Sequence, residues 1–283
     1  MSFEDFSFKR KGLFIVNKIL LILKEQLMHY GIIFRVAKYE KKASYQGHYL
    51  GVAWEVLNPI IQILTYFLVF GLGIRRGSDV GEVPYLTWML IGISGWFFLN
   101  KATLDCSNSI HRKIGMVSKM KFPVSILPAI TIISLIKTFF VMTAIAILTV
   151  LSAGVRPSLY WLQFFYYFIS MITFLYFFGL LNSTITILIR DYHFILQSIM
   201  RILFYFSGPI LVIEEMFPGR LGRVLDLNPY FYIINGFRDS FLNRAYFWDK
   251  GSASLFFWLL TLLIAIIASH LHLKFRSKFV DLI

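Results

Sequence analysis

Long runs of apolar residues alternate with short polar and basic segments along this chain. A helix needs about 20 apolar residues to cross a bilayer core roughly 30 Å thick. The runs that reach or approach this length cover residues 52–74, 84–104, 124–152, 159–189, 194–213 and 254–273. The fifth run is the shortest and carries Arg201. The pattern predicts an all-α integral membrane protein whose residues 49–283 form a domain of six transmembrane helices.

The first 48 residues follow a different pattern. The stretch from Leu13 to Val36 is apolar but is interrupted by Lys18, Lys24 and Arg35. A charged face of this kind is typical of helices that lie in the membrane interface with snorkelling lysines. We therefore predict a cytoplasmic, interfacial amphipathic segment over residues 1–48. The alternative is an extra, weakly hydrophobic span.

Composition and charge support a multi-pass membrane protein. Of the 283 residues, 58% are hydrophobic and 15% are charged, and the mean hydropathy is +0.69. Soluble domains contain about 25% charged residues, so soluble enzymes, secreted proteins and disordered chains are excluded. The net charge is +13, and most basic residues lie in the N-terminal segment, the loop after the second run and the C-terminus. The positive-inside rule then predicts that both termini are cytoplasmic. Basic residues beside apolar spans indicate membrane lipid, not nucleic acid, as a partner.

The connection between the fifth and sixth runs is predicted to lie outside the cell and to contain a helix. Pro229 suits a helix start, and Ile233, Phe237 and Phe241 follow at helical spacing. We predict a short amphipathic helix that dips back toward the bilayer and packs on protein. A plain surface loop is the alternative.

Catalytic signatures are absent from the sequence. It contains no HExxH, no histidine or cysteine pair at metal-ligand spacing, and no P-loop GxxxxGK[ST]. We predict no catalytic residue, no metal site and no cofactor in this chain. The single cysteine, Cys106, also excludes an internal disulfide. If the protein performs active transport, a second polypeptide must bind ATP.

Three features of the sequence are candidates for a functional role. The basic turn 106–123 is a candidate contact for a cytosolic partner, although positive-inside charge alone would also explain it. Aromatic residues are dense over 160–178. Polar or charged residues also fall at membrane depth, where they usually face a bundle interior or a water path; they are Glu55, Lys101, Asp105, Lys137, Arg190, Asp191 and Arg201. Of these, Lys137 and Arg201 are the favoured candidates for a cavity.

Segments distributed along nearly the whole chain carry a resemblance to a known group. They are residues 34–62, 83–98, 109–123, 189–205, 227–239 and 271–283. In these segments the chain resembles the transmembrane subunits of type-2 ABC exporters of polysaccharides. The sequences VSKMKFP (117–123) and KFVDLI (278–283) most resemble the wall teichoic acid translocation permeases of Gram-positive bacteria.

The resemblance implies a homodimer in the bacterial cytoplasmic (cell) membrane, in which each subunit binds a cytosolic ABC ATPase that holds ATP and Mg. It implies an interface helix over about 27–45, a coupling helix in the loop 106–121 and re-entrant gate helices over 214–242. The residues implied for ATPase coupling are His111, Arg112, Lys113, Lys119 and Lys121. Those for the interface helix are Arg35, Lys38, Tyr39 and Lys42, and those for the gate are Asn228, Pro229 and Arg238.

The implied substrate is a lipid-linked teichoic acid polymer on undecaprenyl diphosphate, moved from the cytoplasm to the cell surface. Arg and Lys bind phosphate, and aromatic faces suit a sugar-phosphate chain. We therefore predict a substrate path that includes Lys137, Arg190, Arg201, Tyr66, Phe70 and Tyr205. The alternatives are export of another lipid-linked glycan, such as O-antigen or capsular polysaccharide, a small-molecule efflux permease, and an intramembrane lipid-modifying enzyme.

Overall fold

A computed structural model describes residues 17–43, 49–74, 79–117, 123–189, 191–216, 225 and 227–279. Regular secondary structure in these ranges is helical, apart from an isolated bridge between Val80 and Val83. The helices are α1 (17–28), α2 (Tyr30–Ala43), α3 (Trp54–Tyr66, continued by the π-helical Phe67–Ile74), α4 (Tyr85–Ser107), α5 (Ser109–Val117), α6 (Leu127–Ser152), α7 (Gln163–Leu188), α8 (Tyr192–Phe206), α9 (Ile213–Met216), α10 (Pro229–Phe241) and α11 (Gly251–Phe275).

Several of these helices are suited to a membrane, as the apolar runs predict. Within the described residues, four segments are long and apolar enough to cross one: Val56–Gly73, Val124–Ser152, Leu159–Leu188 and Gly251–Lys278. They coincide with the predicted first, third, fourth and sixth spans. The all-helical, multi-pass prediction is therefore confirmed at this level, while the count of six spans stays a prediction.

The fifth predicted span, 194–213, is longer than the helix that the chain forms. Helix α8 ends at Phe206, so its 15 residues are about 22 Å long at 1.5 Å per residue. Gly208 adopts a positive φ of 65° and Pro209 follows it. A left-handed glycine and a proline are the usual signals that stop a helix, and the apolar pattern alone did not account for them.

Helix α4 occupies the centre of the bundle. Most of its 23 residues are buried, and it packs against α6, α7 and α10. Glycines allow the close approach on the α10 side, because a Cβ at Gly95 would lie 3.2 Å from the ring of Phe237. A Cβ at Gly92 would collide with the Arg238 guanidinium. Burial on every side is the behaviour of a core helix.

Helix α10 runs antiparallel to α4 inside the bundle. The Tyr230 hydroxyl lies 2.9 Å from that of Thr103, near one end of α4, whereas Arg238 Nε donates to the Trp88 carbonyl, near the other end (3.4 Å). The helix begins at Pro229 as predicted, so a plain surface loop is wrong for residues 229–241. The predicted exposed polar face is absent from this helix, because nearly every residue from Tyr230 onward is buried.

The N-terminal helices pack along one end of the bundle. A turn at His29 separates α1 from α2. In α2, Ile33 and Ala37 are buried against the start of α6. The predicted interface residues lie on its exposed side; they are Arg35, Lys38, Tyr39 and Lys42.

Candidate functional site

The short helix α5 lies at the end of the bundle where α4 finishes and α6 begins. Lys113 Nζ is 2.8 Å from Glu40 Oε1 of α2 and 3.3 Å from Thr131 Oγ1 of α6. Only 13% of the Lys113 side chain is exposed, so solvent screens this ion pair less than a surface pair. Movement of α5 is therefore linked to both α2 and α6.

A second group of charges links α5 to α4. Asp105 forms an ion pair with Lys101 at 3.3 Å and accepts a hydrogen bond from Arg112 of α5 at 3.2 Å. Both cationic side chains are more than half exposed, so each pair contributes little to stability. The Arg112–Asp105 pair serves mainly to position α5 against α4. His111 is exposed, while Lys119 and Lys121 lie outside the described residues. His111 and Arg112 thus form the exposed basic part of α5.

Apolar packing underlies these ion pairs. A small hydrophobic cluster, separate from the main core, joins α2, α5, the start of α6, the end of α7 and the C-terminal turn; its buried members are Ile33, Ala37, Ile110, Ile126, Leu127, Ile130, Ile187 and Phe279. A packed cluster transmits displacement because close-packed side chains have little free volume. The α5 end is therefore one mechanical unit built from segments distant in sequence.

Arg238 is a buried cation with several partners inside the bundle. It is 2% exposed, and its guanidinium lies 3.3 Å from the centroid of the Trp88 ring. Besides the Trp88 carbonyl, it donates to the Pro209 carbonyl at 3.0 Å and to Asn235 Oδ1 at 3.1 Å. One side chain thus holds together α4, α10 and the turn that follows α8.

The two ends of α10 are also fixed. At the start, Asn228 Oδ1 accepts from the Tyr230 amide at 3.0 Å, and Asn228 Nδ2 donates to Ser207 Oγ at 2.9 Å. This is an N-cap that also ties α10 to the end of α8. Near the other end, Asp239 pairs with Lys250 at the start of α11. The predicted gate residues Asn228, Pro229 and Arg238 therefore lie on one rigidly held element.

The residues predicted for the substrate path are only partly brought together. Tyr66 of α3 lies 5.4 Å from Phe204 of α8, ring centroid to centroid, and Phe204 contacts Tyr205 at 5.2 Å. Phe70 packs on the same core as Tyr66. By contrast, Lys137 of α6 and Arg201 of α8 are exposed. Arg190 lies outside the described residues.

Several residues with structural importance at these sites were not identified from sequence. Glu40 and Asp239 are the partners of Lys113 and Lys250, and both pairs join different helices. The sequence does not reveal pairs of this kind, because their two members are far apart in it. The Lys101–Asp105 pair can be recognised from the sequence, because the i,i+4 spacing places both side chains on one helix face.

The chain is similar to known transport proteins. The family described as ABC-2 type transporter matches residues 33–242. The O-antigen export system permease protein RfbA of Myxococcus xanthus is 21% identical over 225 residues, which cover 79% of this chain and 85% of that protein. A protein of the same name from Klebsiella pneumoniae is 23% identical over 217 residues, which cover 76% and 81%.

Proposed function

Because the chain belongs to the ABC-2 type transporter family, we propose that it is the permease subunit of an ATP-driven exporter of a lipid-linked surface polysaccharide. The family match over residues 33–242 is the observation that carries this proposal. Similarity to O-antigen export permeases supports a glycan as the cargo. A small-molecule efflux permease and a lipid-modifying enzyme have no comparable support.

In this proposal the chain crosses the bacterial cytoplasmic membrane six times with both termini inside. Helix α4 serves as the second span and is shielded from lipid by its neighbours. Helix α8 serves as the fifth span, and the turn after Phe206 completes the crossing. Helices α9 and α10 form the outer gate, with the fixed contacts of Asn228 and Arg238 holding it closed.

Energy would enter from a partner that binds ATP and Mg, since family members work with a separate ATPase. The partner would dock on α5, where His111 and Arg112 are exposed. Its movement would pass to α2 through Lys113 and Glu40, which are 2.8 Å apart. Rocking of two copies of the chain would then alternate access between the two membrane faces.

The route would lie between two copies of the subunit. Helices α3 and α8 present apolar side chains that are exposed in one subunit, among them Leu64 and Ile199, and a second copy would cover such a surface. Lys137 and Arg201 are exposed as well. Cations at membrane depth that face a second subunit would offer charge to the phosphates of the cargo.

Two cargoes are in contention, and both would be carried on undecaprenyl diphosphate. The motifs VSKMKFP and KFVDLI favour wall teichoic acid, whereas the names of the relatives favour O-antigen. Both share the chemistry of a long glycan on a lipid diphosphate. The machinery proposed here is the same for either.

Depletion of the chain in its host tests the proposal. We expect a surface glycan to disappear while its lipid-linked form accumulates inside the cell, with peptidoglycan as the internal reference. Loss of wall-bound phosphate would identify teichoic acid, and loss of O-antigen with normal wall phosphate would identify the other cargo. If every surface glycan stays at its normal level, the proposed function is wrong.

The orientation is tested by thiol labelling at introduced sites. The native Cys106 is unsuitable because it is fully buried, so we expect no reaction with an impermeant maleimide even in opened membranes. In a Cys106→Ala background, Ser277→Cys should label only after the membrane is opened, since Ser277 is exposed after α11. Glu82→Cys, exposed in the turn before α4, should label in intact cells or spheroplasts. The reverse pattern would invert the topology.

A further inference from the structure

Two consecutive side chains anchor the first turn of α8 to two different helices. The Tyr192 hydroxyl donates to Asn182 Oδ1 of α7, and His193 Nδ1 lies 2.7 Å from Ser107 Oγ of α4. Both partners, Asn182 and Ser107, are buried. Successive residues of a helix point about 100° apart, so one turn can reach two helices at once. The start of α8 is therefore held to α4 and α7 by polar bonds.

The body of α8 presents an apolar face that is not covered by the bundle. Leu196 and Met200 are its buried residues, whereas Ile195, Ile199 and Ile202 are exposed. In the proposed function this exposed face borders the route between two copies of the chain. The polar anchor at the first turn therefore helps to set where that face lies relative to α4.

The hydrogen bonds around His193 determine which ring nitrogen carries the proton. Ser107 Oγ donates its one proton to the Leu104 carbonyl at 2.8 Å, so toward His193 it can only accept. His193 Nδ1 must then carry a proton and donate it. The other ring nitrogen, Nε2, lies 2.9 Å from Gln197 Nε2, and it accepts because an amide nitrogen only donates. Both contacts indicate the neutral Nδ1–H tautomer.

Ser107 lies next to the junction between α4 and α5. It is the last residue of α4, and α5 begins at Ser109, so Asn108 alone separates the two helices. Helix α5 is the proposed docking site of the ATPase. A change in the angle between α4 and α5 would be centred on Asn108, and the bond from His193 attaches α8 one residue away.

We propose that His193 is a positioning residue for export, which donates through Nδ1 to Ser107 and so holds the start of α8 at the α4–α5 junction. The proposal rests on the proposed function, which makes α8 a wall of the route and α5 the contact of the ATPase. Without this donor, the exposed face of α8 would no longer be fixed relative to α4. ATP hydrolysis would continue, but less glycan would be exported for each ATP.

Solid-state ¹⁵N NMR tests the tautomer in the purified complex of the histidine-labelled chain with its ATPase. At pH 8 an unperturbed imidazole is neutral, and we expect His193 to show a protonated Nδ1 and an unprotonated Nε2. Its signals are identified as those missing from the spectrum of His193→Asn. A protonated Nε2 beside an unprotonated Nδ1 overturns the proposal, because such a ring cannot donate to Ser107.

Two substitutions separate the donor from the ring. His193→Asn places an amide N–H where Nδ1–H stands, because both nitrogens are bonded to Cγ, and should keep at least half of wild-type export per ATP. His193→Phe keeps a ring without a donor and should lose at least fivefold, as should Ser107→Ala. The double variant Ser107→Ala/His193→Phe should be no worse than either single variant, because all three lack the same bond.

A matched control is His270→Phe, which makes the same change at an exposed histidine of α11 whose bond to Lys18 does not involve α8. We expect it to export within twofold of wild type. Export is measured as surface glycan per molecule of the chain in the depleted host, and hydrolysis as the ATPase rate of the purified complex.

Normal export per ATP by His193→Phe overturns the proposal. Equal losses in His193→Asn and His193→Phe also overturn it, because the donor would then not be what export requires. If the wild-type chain restores no surface glycan to the depleted host, the proposed function is wrong, while the tautomer of His193 is measured independently of it.

Discussion

Replacing Arg238 with alanine is expected to impair export severely and to lower the stability of the chain. The guanidinium donates to the Trp88 and Pro209 carbonyls and to the Asn235 amide oxygen. Its removal leaves buried acceptors without that donor and opens a cavity beneath the Trp88 ring. Substitutions of this kind cost about 2–5 kcal/mol. We expect export to fall at least tenfold and the thermal midpoint of the purified complex to drop.

A conservative variant separates charge from geometry at this position. Arg238→Lys keeps the positive charge, but an ammonium on a single stem does not reproduce donation in three directions by a planar group. We expect it to retain less than a third of wild-type export. Arg244→Ala removes a cation from an exposed position shortly after α10 and should export normally. Normal export by Arg238→Ala, at wild-type protein abundance, would show that the contacts of Arg238 do not hold the gate.

Much of the helical architecture was predictable because it depends on local pattern and on membrane thickness. Apolar runs of about 20 residues located α3, α4, α6, α7 and α11, and Pro229 marked the start of α10. The end of α8 was missed because a run of apolar residues does not reveal where the backbone stops being helical. Gly208 and Pro209 decided that boundary. The prediction treated them as part of an apolar run, although both residues are recognised helix stops.

The candidate sites were less predictable, because they depend on pairs that are distant in sequence. Sequence alone placed Lys113 on a basic turn and suggested a contact with a partner protein, but its side chain points to Glu40, 73 residues away. The bond from Lys41 Nζ of α2 to Thr138 Oγ1 of α6, at 3.0 Å, joins positions 97 residues apart in the same way. Arg238 was identified as a gate residue from resemblance, whereas its stacking on Trp88 required coordinates.

Reversing the charge of Lys113 is expected to uncouple ATP hydrolysis from export. In Lys113→Glu, two carboxylates face each other where an ion pair of 2.8 Å now joins α5 to α2. Like charges about 4 Å apart repel by about 4 kcal/mol at an effective dielectric constant of 20, so α5 should separate from α2. We expect at least a tenfold loss of export while the ATPase partner continues to hydrolyse ATP. Glu40→Lys should have the same effect through two facing ammonium groups.

The double variant Lys113→Glu/Glu40→Lys decides whether the pair acts as a link between the helices. It restores opposite charges across the same two positions, so we expect at least half of wild-type export to return, less the contribution of the Lys113 contact with Thr131. Lys24→Glu makes the same charge change at an exposed position on α1 and should leave the ratio of export to hydrolysis unchanged. If the single variants are inactive and the double variant is no better, Lys113 acts alone, for example by contacting the ATPase directly. Recovery in the double variant would instead mean that export requires opposite charges at these two positions, and so the link between α5 and α2.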